Sequence, residues 1–397
     1  MRRAYVALLA VLAFGLLCGT AVAGSVDAGV TDNAEVHAAD SAVASSYATD
    51  EGQQTGAAST ALECSYPVEV TDATGETVVV EEEPEEVVAL GASDAQTVWE
   101  LGAKEKVTGL PMFPGTAYLE DREARAGGEE RVDIADEFGF PVVEEVVGLE
   151  PDLVLAASAM LEDDVQAIRD AGLTVYYAEN EQTLGDVYSY IERIGQFVNA
   201  CGEAEQTVTE MQETVSFIED AVADEERPSV YYAQVPGEGW TAGQGTVEHD
   251  MITTAGGENV GAELGVEFYD QVSEEEIVAQ DPDWIVVSEG SGDLPESLST
   301  TTAVQEGQIV EVDGDAISQP GPRMIEPVET MAEAFHPDAL EDARNNDTDD
   351  GSSDDSTDTD DDSTDTDDDS TDTDDDSTTG RQAEGPPTHQ PFYPLPD

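Results

Sequence analysis

Two α/β lobes of parallel sheet, bridged by a long helical segment, form the fold class that three observations predict. The phrase VVGLEPDLVLAAS at residues 146–158 is written again as IVAQDPDWIVVSEG at residues 277–290, with Pro151 and Pro282 131 positions apart. Each copy closes an apolar helix, turns at an acid-Pro-Asp (Glu150-Pro151-Asp152 and Asp281-Pro282-Asp283) and runs on through unbroken apolar residues. Proline ends the helix, and four or more consecutive apolar residues suit a strand buried on both faces. A single such phrase arises by chance in any α/β domain, whereas two copies at a long period predict two similar lobes. Leu184, Val187, Ile191, Ile194 and Val198 then recur at helical spacing, in a stretch that continues to about residue 223. Finally, apolar periodicity is lost at both ends of the chain, which confines the folded body to the middle.

The elements follow in chain order. Residues 1–23 carry two arginines, an apolar core and the small-x-small exit Ala21-Val22-Ala23, the pattern of a secretory signal peptide. Residues 24–62 are small and polar and read as a flexible leader. The N-terminal lobe, residues 63–180, opens with a hairpin in which Val68 and Val70 face Val78 and Val80 across a turn at residues 72–75. A strand at 87–90 follows, and then a helix entered through Ser93 and Asp94 as N-caps. The bridging region, residues 181–226, holds about forty helical residues. Such a helix would reach about 60 Å, longer than one domain, so one break is expected. The C-terminal lobe, residues 227–338, starts with a strand at 229–234. Beyond it, residues 339–397 read as a disordered acidic tail, within which Ser-Thr-Asp-Thr-Asp-Asp-Asp recurs from Ser356, Ser363 and Ser370 without apolar positions.

Charge narrows the function. With 13 Lys+Arg against 91 Asp+Glu, the net charge is −78, and the summed field repels nucleic acid and anionic membranes. Such self-repulsion points to a high-salt, halophilic habitat. If Cys18 leaves with the signal, Cys64 and Cys201 remain, and a pair in an exported chain reads as a disulfide. Lipidation at Cys18 is the competing reading, opposed by the bulk of Leu17. The protein is thus expected to be secreted or cell-surface, with release and anchorage both open. An enzyme is not expected: there is no G-x-S-x-G elbow and no H-E-x-x-H. His37 and His389 fall in the ends of the chain, and His249 and His336 are too few for a metal site, so none is expected.

Ligands of open parallel sheets bind beyond the carboxyl ends of the strands, which nominates Ser93, Ser158 and Ser291. LPMFPGTAY (110–118) offers Met112, Phe113 and Tyr118 on a strand-exit loop suited to a large planar or hydrophobic ligand. GEGWTAGQGT (237–246) offers Trp240 and Gln244 among four glycines. It lacks the lysine and the spacing of a phosphate loop. SQPGPRMIEP (318–327) places Arg323 in a Pro/Gly turn, either as a contact for ligand oxygens or as a salt bridge to the acidic surface.

Four phrases together resemble the substrate-binding proteins of iron-siderophore, haem and cobalamin importers: VTDATGETVVVEEEPEEVVALGASDAQTVWELGAKEKVTGL, VVEEVVGLEPDLVLAAS, TAGGENVGAELGVEFYDQVSEEEIVAQDPDWIVVSEG and GQIVEVDGDAISQPGPRMIEPVETMAEAFHPD. The resemblance spans about residues 66–338. It implies two Rossmann-like lobes joined by a long rigid helix, with the ligand in the cleft between them. It further implies an ABC permease and its ATPase as partners, a transported iron chelate or corrinoid as ligand, no permanently bound cofactor and a monomer. Where such proteins dock an arginine of the permease, the resemblance points to Glu275 on the second lobe and Gln96 on the first, the latter a departure from the usual glutamate. A cell-surface sensory or adhesive module on the same fold is the alternative.

Overall fold

The computed structural model describes residues 64–136 and 138–350. The expected signal peptide, leader and Asp-rich repeats lie outside the described residues. A hairpin comes first: β1 (Val68–Thr71) pairs antiparallel with β2 (Thr77–Val80), Val68 facing Val80 and Val70 facing Val78. Those four valines are buried. In the turn, the Asp72 carboxylate accepts from the Thr74 amide (2.9 Å) and hydroxyl (2.7 Å) and pairs with Arg169.

The first sheet is built from β3 (Val87–Ala89), β4 (Val107–Leu110), β5 (Val132–Asp133), β6 (Leu153–Ala156) and β7 (Val175–Tyr177), with helices α1 (Ala92–Glu100), α2 (Val143–Gly148) and α3 (Glu162–Asp170) between them. Its spatial order is β5-β4-β3-β6-β7, all pairs parallel. Every residue of β6 is buried, which accounts for the unbroken apolar run.

Two helices follow. In α4 (Leu184–Val198) the Thr183 hydroxyl accepts from the Asp186 amide while the Asp186 carboxylate accepts from the Thr183 amide, a reciprocal cap. The helix ends at Asn199, which is left-handed with φ of 59°, and α5 (Cys201–Val222) begins two residues later. The bridging region therefore carries the single break that its length required. A Cβ on Gly195 would stand 2.5 Å from the Ala204 side chain, so only glycine allows the two helices to approach so closely at the break. Cys64 and Cys201 are disulfide-bonded with Cα atoms 5.5 Å apart, pinning the start of the folded body to the start of α5.

The second sheet uses β8 (Ser229–Ala233), β10 (Glu258–Asn259), β12 (Trp284–Ser288) and β13 (Ile309–Val312) in the order β10-β8-β12-β13, again all parallel. A separate antiparallel ribbon joins β9 (Trp240–Ala242) to β11 (Tyr269–Gln271). Helices α6 (Val247–Thr254), α7 (Val260–Glu263), α8 (Glu274–Gln280), α9 (Thr302–Glu306), α10 (Gly314–Ser318), α11 (Ile325–Phe335) and α12 (Pro337–Asp350) complete it. Helix α4 packs on α1, and α5 packs on α11 and α12, so each sheet's helical layer receives one half of the bridge.

The repeated phrase has the same geometry twice. Glu150 and Asp281 both turn left-handed, at φ of 48° and 50°. Asp152 then accepts from the amides of Glu85 and Glu86, at 2.9 and 3.0 Å, just before β3. Asp283 accepts from the amide and the hydroxyl of Ser229, both at 2.8 Å, at the start of β8. In each sheet the aspartate just before an interior strand fixes the entrance of its neighbour. One expectation is corrected: Ser93 and Asp94 do not cap α1. Gly91 is the N-cap, and Asp94, inside the first turn, accepts from the Gly91 amide at 3.0 Å.

Candidate functional site

Segments that follow the carboxyl ends of β4 and β13 are in contact. The loop after β4 meets the segment after α10 in a polar seam. There the Tyr118 hydroxyl accepts from Gln96 Nε2 (3.0 Å) and donates to Gln319 Oε1 (2.7 Å). Gln319 Nε2 donates to the Gly115 carbonyl (2.8 Å), and the Arg323 guanidinium lies 4.5 Å above the Tyr118 ring. Arg323 also pairs with Asp313 at 2.6 Å and Glu326 at 3.1 Å. A Cβ on Gly321 would fall 2.4 Å from Gln96 Oε1, so a side chain there would have to displace the Gln96 amide.

This seam corrects three expectations. Tyr118 and Arg323 hold the sheets' exit loops together rather than standing free in the cleft, although Arg323 Nη1 is buried without a partner. The salt-bridge reading of Arg323 is the one the geometry supports. Gln96 is fully buried, so it offers nothing to a partner at the surface.

The remaining candidates surround the seam. The Met112 amide donates to the Asp133 carboxylate at 2.9 Å, and the Phe113 ring packs over Gly115 and Gly139. Ser93 is buried, and Ser158 Oγ donates to Glu181 Oε2 at 3.0 Å. On the other side, Trp240 is half-buried in the ribbon and Gln244 is exposed at its end. Ser291 Oγ is buried and unpartnered. The glycines around Trp240 serve the ribbon: a Cβ on Gly239 would lie 2.3 Å from the Val272 carbonyl, and one on Gly243 2.0 Å from the Val266 carbonyl. His249 Nδ1 lies 3.3 Å from Asn259 Nδ2, and His336 Nε2 lies 3.2 Å from the Gly256 carbonyl.

Sequence reasoning missed two groups. The largest exposed hydrophobic side chains include Phe138 (74% exposed) and Phe140 (51%) on the loop after β5, and Phe268 (51%) and Tyr269 (44%) on the ribbon. The first pair belongs to the first lobe and the second pair to the second lobe. The second group is a set of buried acids. Asp94 is fully buried and accepts from the amides of Gly91 and Ala157 and from the Tyr190 hydroxyl, while burial pushes its carboxyl up to about 6. Burial likewise pushes Glu181 up to about 7 and raises Glu248. In a chain with 91 acids, three functional-looking ones leave no sequence signal.

The period of the repeat also relocates one docking candidate. Counting 131 positions back from Ile277 gives Val146, and both are buried. The same step takes Glu275 to Glu144, and both are exposed in the first turns of α8 and α2. Glu144, not Gln96, is therefore the counterpart of Glu275.

The sequence profile described as periplasmic binding protein matches residues 87–316. The chain belongs to that family. Among its relatives, a cobalamin-binding protein of Halobacterium salinarum is 38% identical over 289 residues, covering 69% of this chain and 75% of the relative. An uncharacterized ABC transporter substrate-binding lipoprotein of Bacillus subtilis is 29% identical, covering 70% of this chain and 88% of its own length. Among solved structures, the apo periplasmic haem-binding protein RhuT of Roseiflexus sp. RS-1 aligns with a TM-score of 0.55 at 21% identity, over 64% of this chain and 99% of that one. Helicobacter pylori CeuE with Ni(II) bound aligns with a TM-score of 0.58 at 22% identity, over 69% and 91%. The family's parallel-sheet architecture is the one described above, and no helix among the described residues is long and apolar enough to cross a membrane.

Proposed function

We propose that this chain is an exported, monomeric solute-binding protein that delivers a corrinoid or an iron chelate to an ABC permease and its ATPase. The observation that carries this reading is the presence in each lobe of a pair of large exposed aromatic side chains, Phe138 with Phe140 on the loop after β5 and Phe268 with Tyr269 at the start of β11, which we read as two walls of the ligand cleft. Such walls would bury the apolar faces of a large ring while its polar rim reaches the exposed Gln244. A corrinoid is favoured over haem or a ferric siderophore by the name of the relative that is 38% identical. The seam and the split bridge restrict closure to a small rocking motion. Glu144 and Glu275, equivalent by the repeat, are the acids that would meet permease arginines.

The test is titration of the purified protein in about 2 M NaCl, conditions that screen its charge, with cyanocobalamin, haemin and a ferric hydroxamate, reading quenching of intrinsic fluorescence. One of the three should bind at about micromolar Kd or tighter. Combined Phe138→Ser and Phe268→Ser should weaken that binding by about tenfold or more. Folded protein that binds none of the three would overturn the reading.

A further inference from the structure

Glu248 is a buried acid that the cleft reading leaves unused. It lies in the first turn of α6, is 3% exposed, and takes its side-chain hydrogen bond from the Tyr269 hydroxyl, 2.9 and 2.7 Å from its two oxygens. No arginine or lysine pairs with it among the described residues. A buried carboxylate without a cation is costly, and a group that only filled space there would be apolar.

Its partner explains the choice. Tyr269 opens β11, all three of whose residues are exposed and whose ladder is made to β9 alone. A two-stranded ribbon holds its shape poorly unaided. Phe268, just before it, sits left-handed at φ of 60° and turns its exposed ring toward Gly245. The phenol thus reaches the buried carboxylate while the residue as a whole stays 44% exposed. A short charge-assisted bond of this kind fixes orientation more firmly than packing on an exposed ribbon does.

We propose that Glu248 is a positioning residue for cargo binding: by holding the Tyr269 hydroxyl it sets the angle of the Phe268–Tyr269 wall. This rests on the function proposed above. The test is a double-mutant cycle on cargo affinity, with cyanocobalamin as the probe, or haemin or the ferric hydroxamate in its place where only that one binds. Tyr269→Phe keeps the ring and loses the tether. Glu248→Leu loses the acceptor, and Glu248→Gln keeps an oxygen able to accept. Tyr269→Phe and Glu248→Leu should each weaken binding roughly fivefold, the double variant should be no weaker than either, and Glu248→Gln should restore most of the affinity. Multiplying effects, or an unchanged Kd in Tyr269→Phe, would overturn the proposal; the second outcome decides even if Glu248→Leu fails to fold. A wild type that binds none of cyanocobalamin, haemin and the ferric hydroxamate defeats the function reading instead. In that case amide exchange of residues 268–272 still decides: faster exchange in Tyr269→Phe supports the tether, and unchanged exchange overturns it.

Discussion

Glu181 carries the clearest consequence at the level of one residue. Burial pushes its carboxyl up to about 7, Ser158 donates to it, and the neighbouring Asp94 charge adds to the rise. In the unfolded chain the same carboxyl titrates near about 4. The folded state therefore binds this proton more tightly, and the stability it contributes is complete below about pH 4 and is lost as pH rises through about 7. Between pH 5 and pH 8 the wild type should lose about 2 kcal/mol through this group. Glu181→Gln should flatten that part of the slope, measured by guanidinium unfolding at several pH values in constant salt. An identical slope in the variant would show that Glu181 does not titrate as its burial dictates. Neither Glu181 nor Asp94 could be picked from the sequence as a buried acid, because what distinguishes them is the protein packed around them.

At the scale of elements, the acid-Pro-Asp turn is a fastening between adjacent strands. Asp283 accepts two bonds from Ser229 in a half-buried setting, and Asp152 accepts two amide bonds at an exposed one. Hydrogen bonds to a charged acceptor contribute more where water competes less. Asp283→Ala should therefore cost about 2 kcal/mol and Asp152→Ala about 1 kcal/mol, read as shifts in the guanidinium midpoint with unchanged slope. Equal costs would deny the role of burial. These turns, the hairpin valines and the helical face of α4 were legible because each is a local pattern dictated by burial or chain geometry. The walls of the cleft were not. Met112, Phe113 and Tyr118 look in sequence like the aromatic loop of a site, yet Phe113 packs over glycines and Tyr118 is spent on the seam. Phe138 and Phe268 look no different, and only tertiary placement leaves them exposed. Glu144 was within reach, since the period of the repeat points to it directly.

Across the whole molecule, the net charge of −78 meets only 13 lysines and arginines, and those among the described residues are committed. Arg131 is buried against the carbonyls of Lys104, Val107, Asp121 and Ala124 and stacks on Trp99. Arg169 is drawn to Asp72 and Glu76, and Lys106 to Glu83. Most surface acids therefore repel one another with no positive neighbour to offset them, and the compact state gathers that repulsion while the unfolded chain spreads it out. Added salt should raise the melting temperature steeply at first. The Debye length falls from about 10 Å at 0.1 M to about 3 Å at 1 M, so a rise caused by screening should level off near the upper figure. A rise that instead continues in proportion to salt, and is steeper in sulfate than in chloride at equal ionic strength, would assign the effect to exclusion of salt from apolar surface. A melting temperature that does not move between 0.1 and 2 M NaCl would mean that the acidic surface does not govern the stability of this fold.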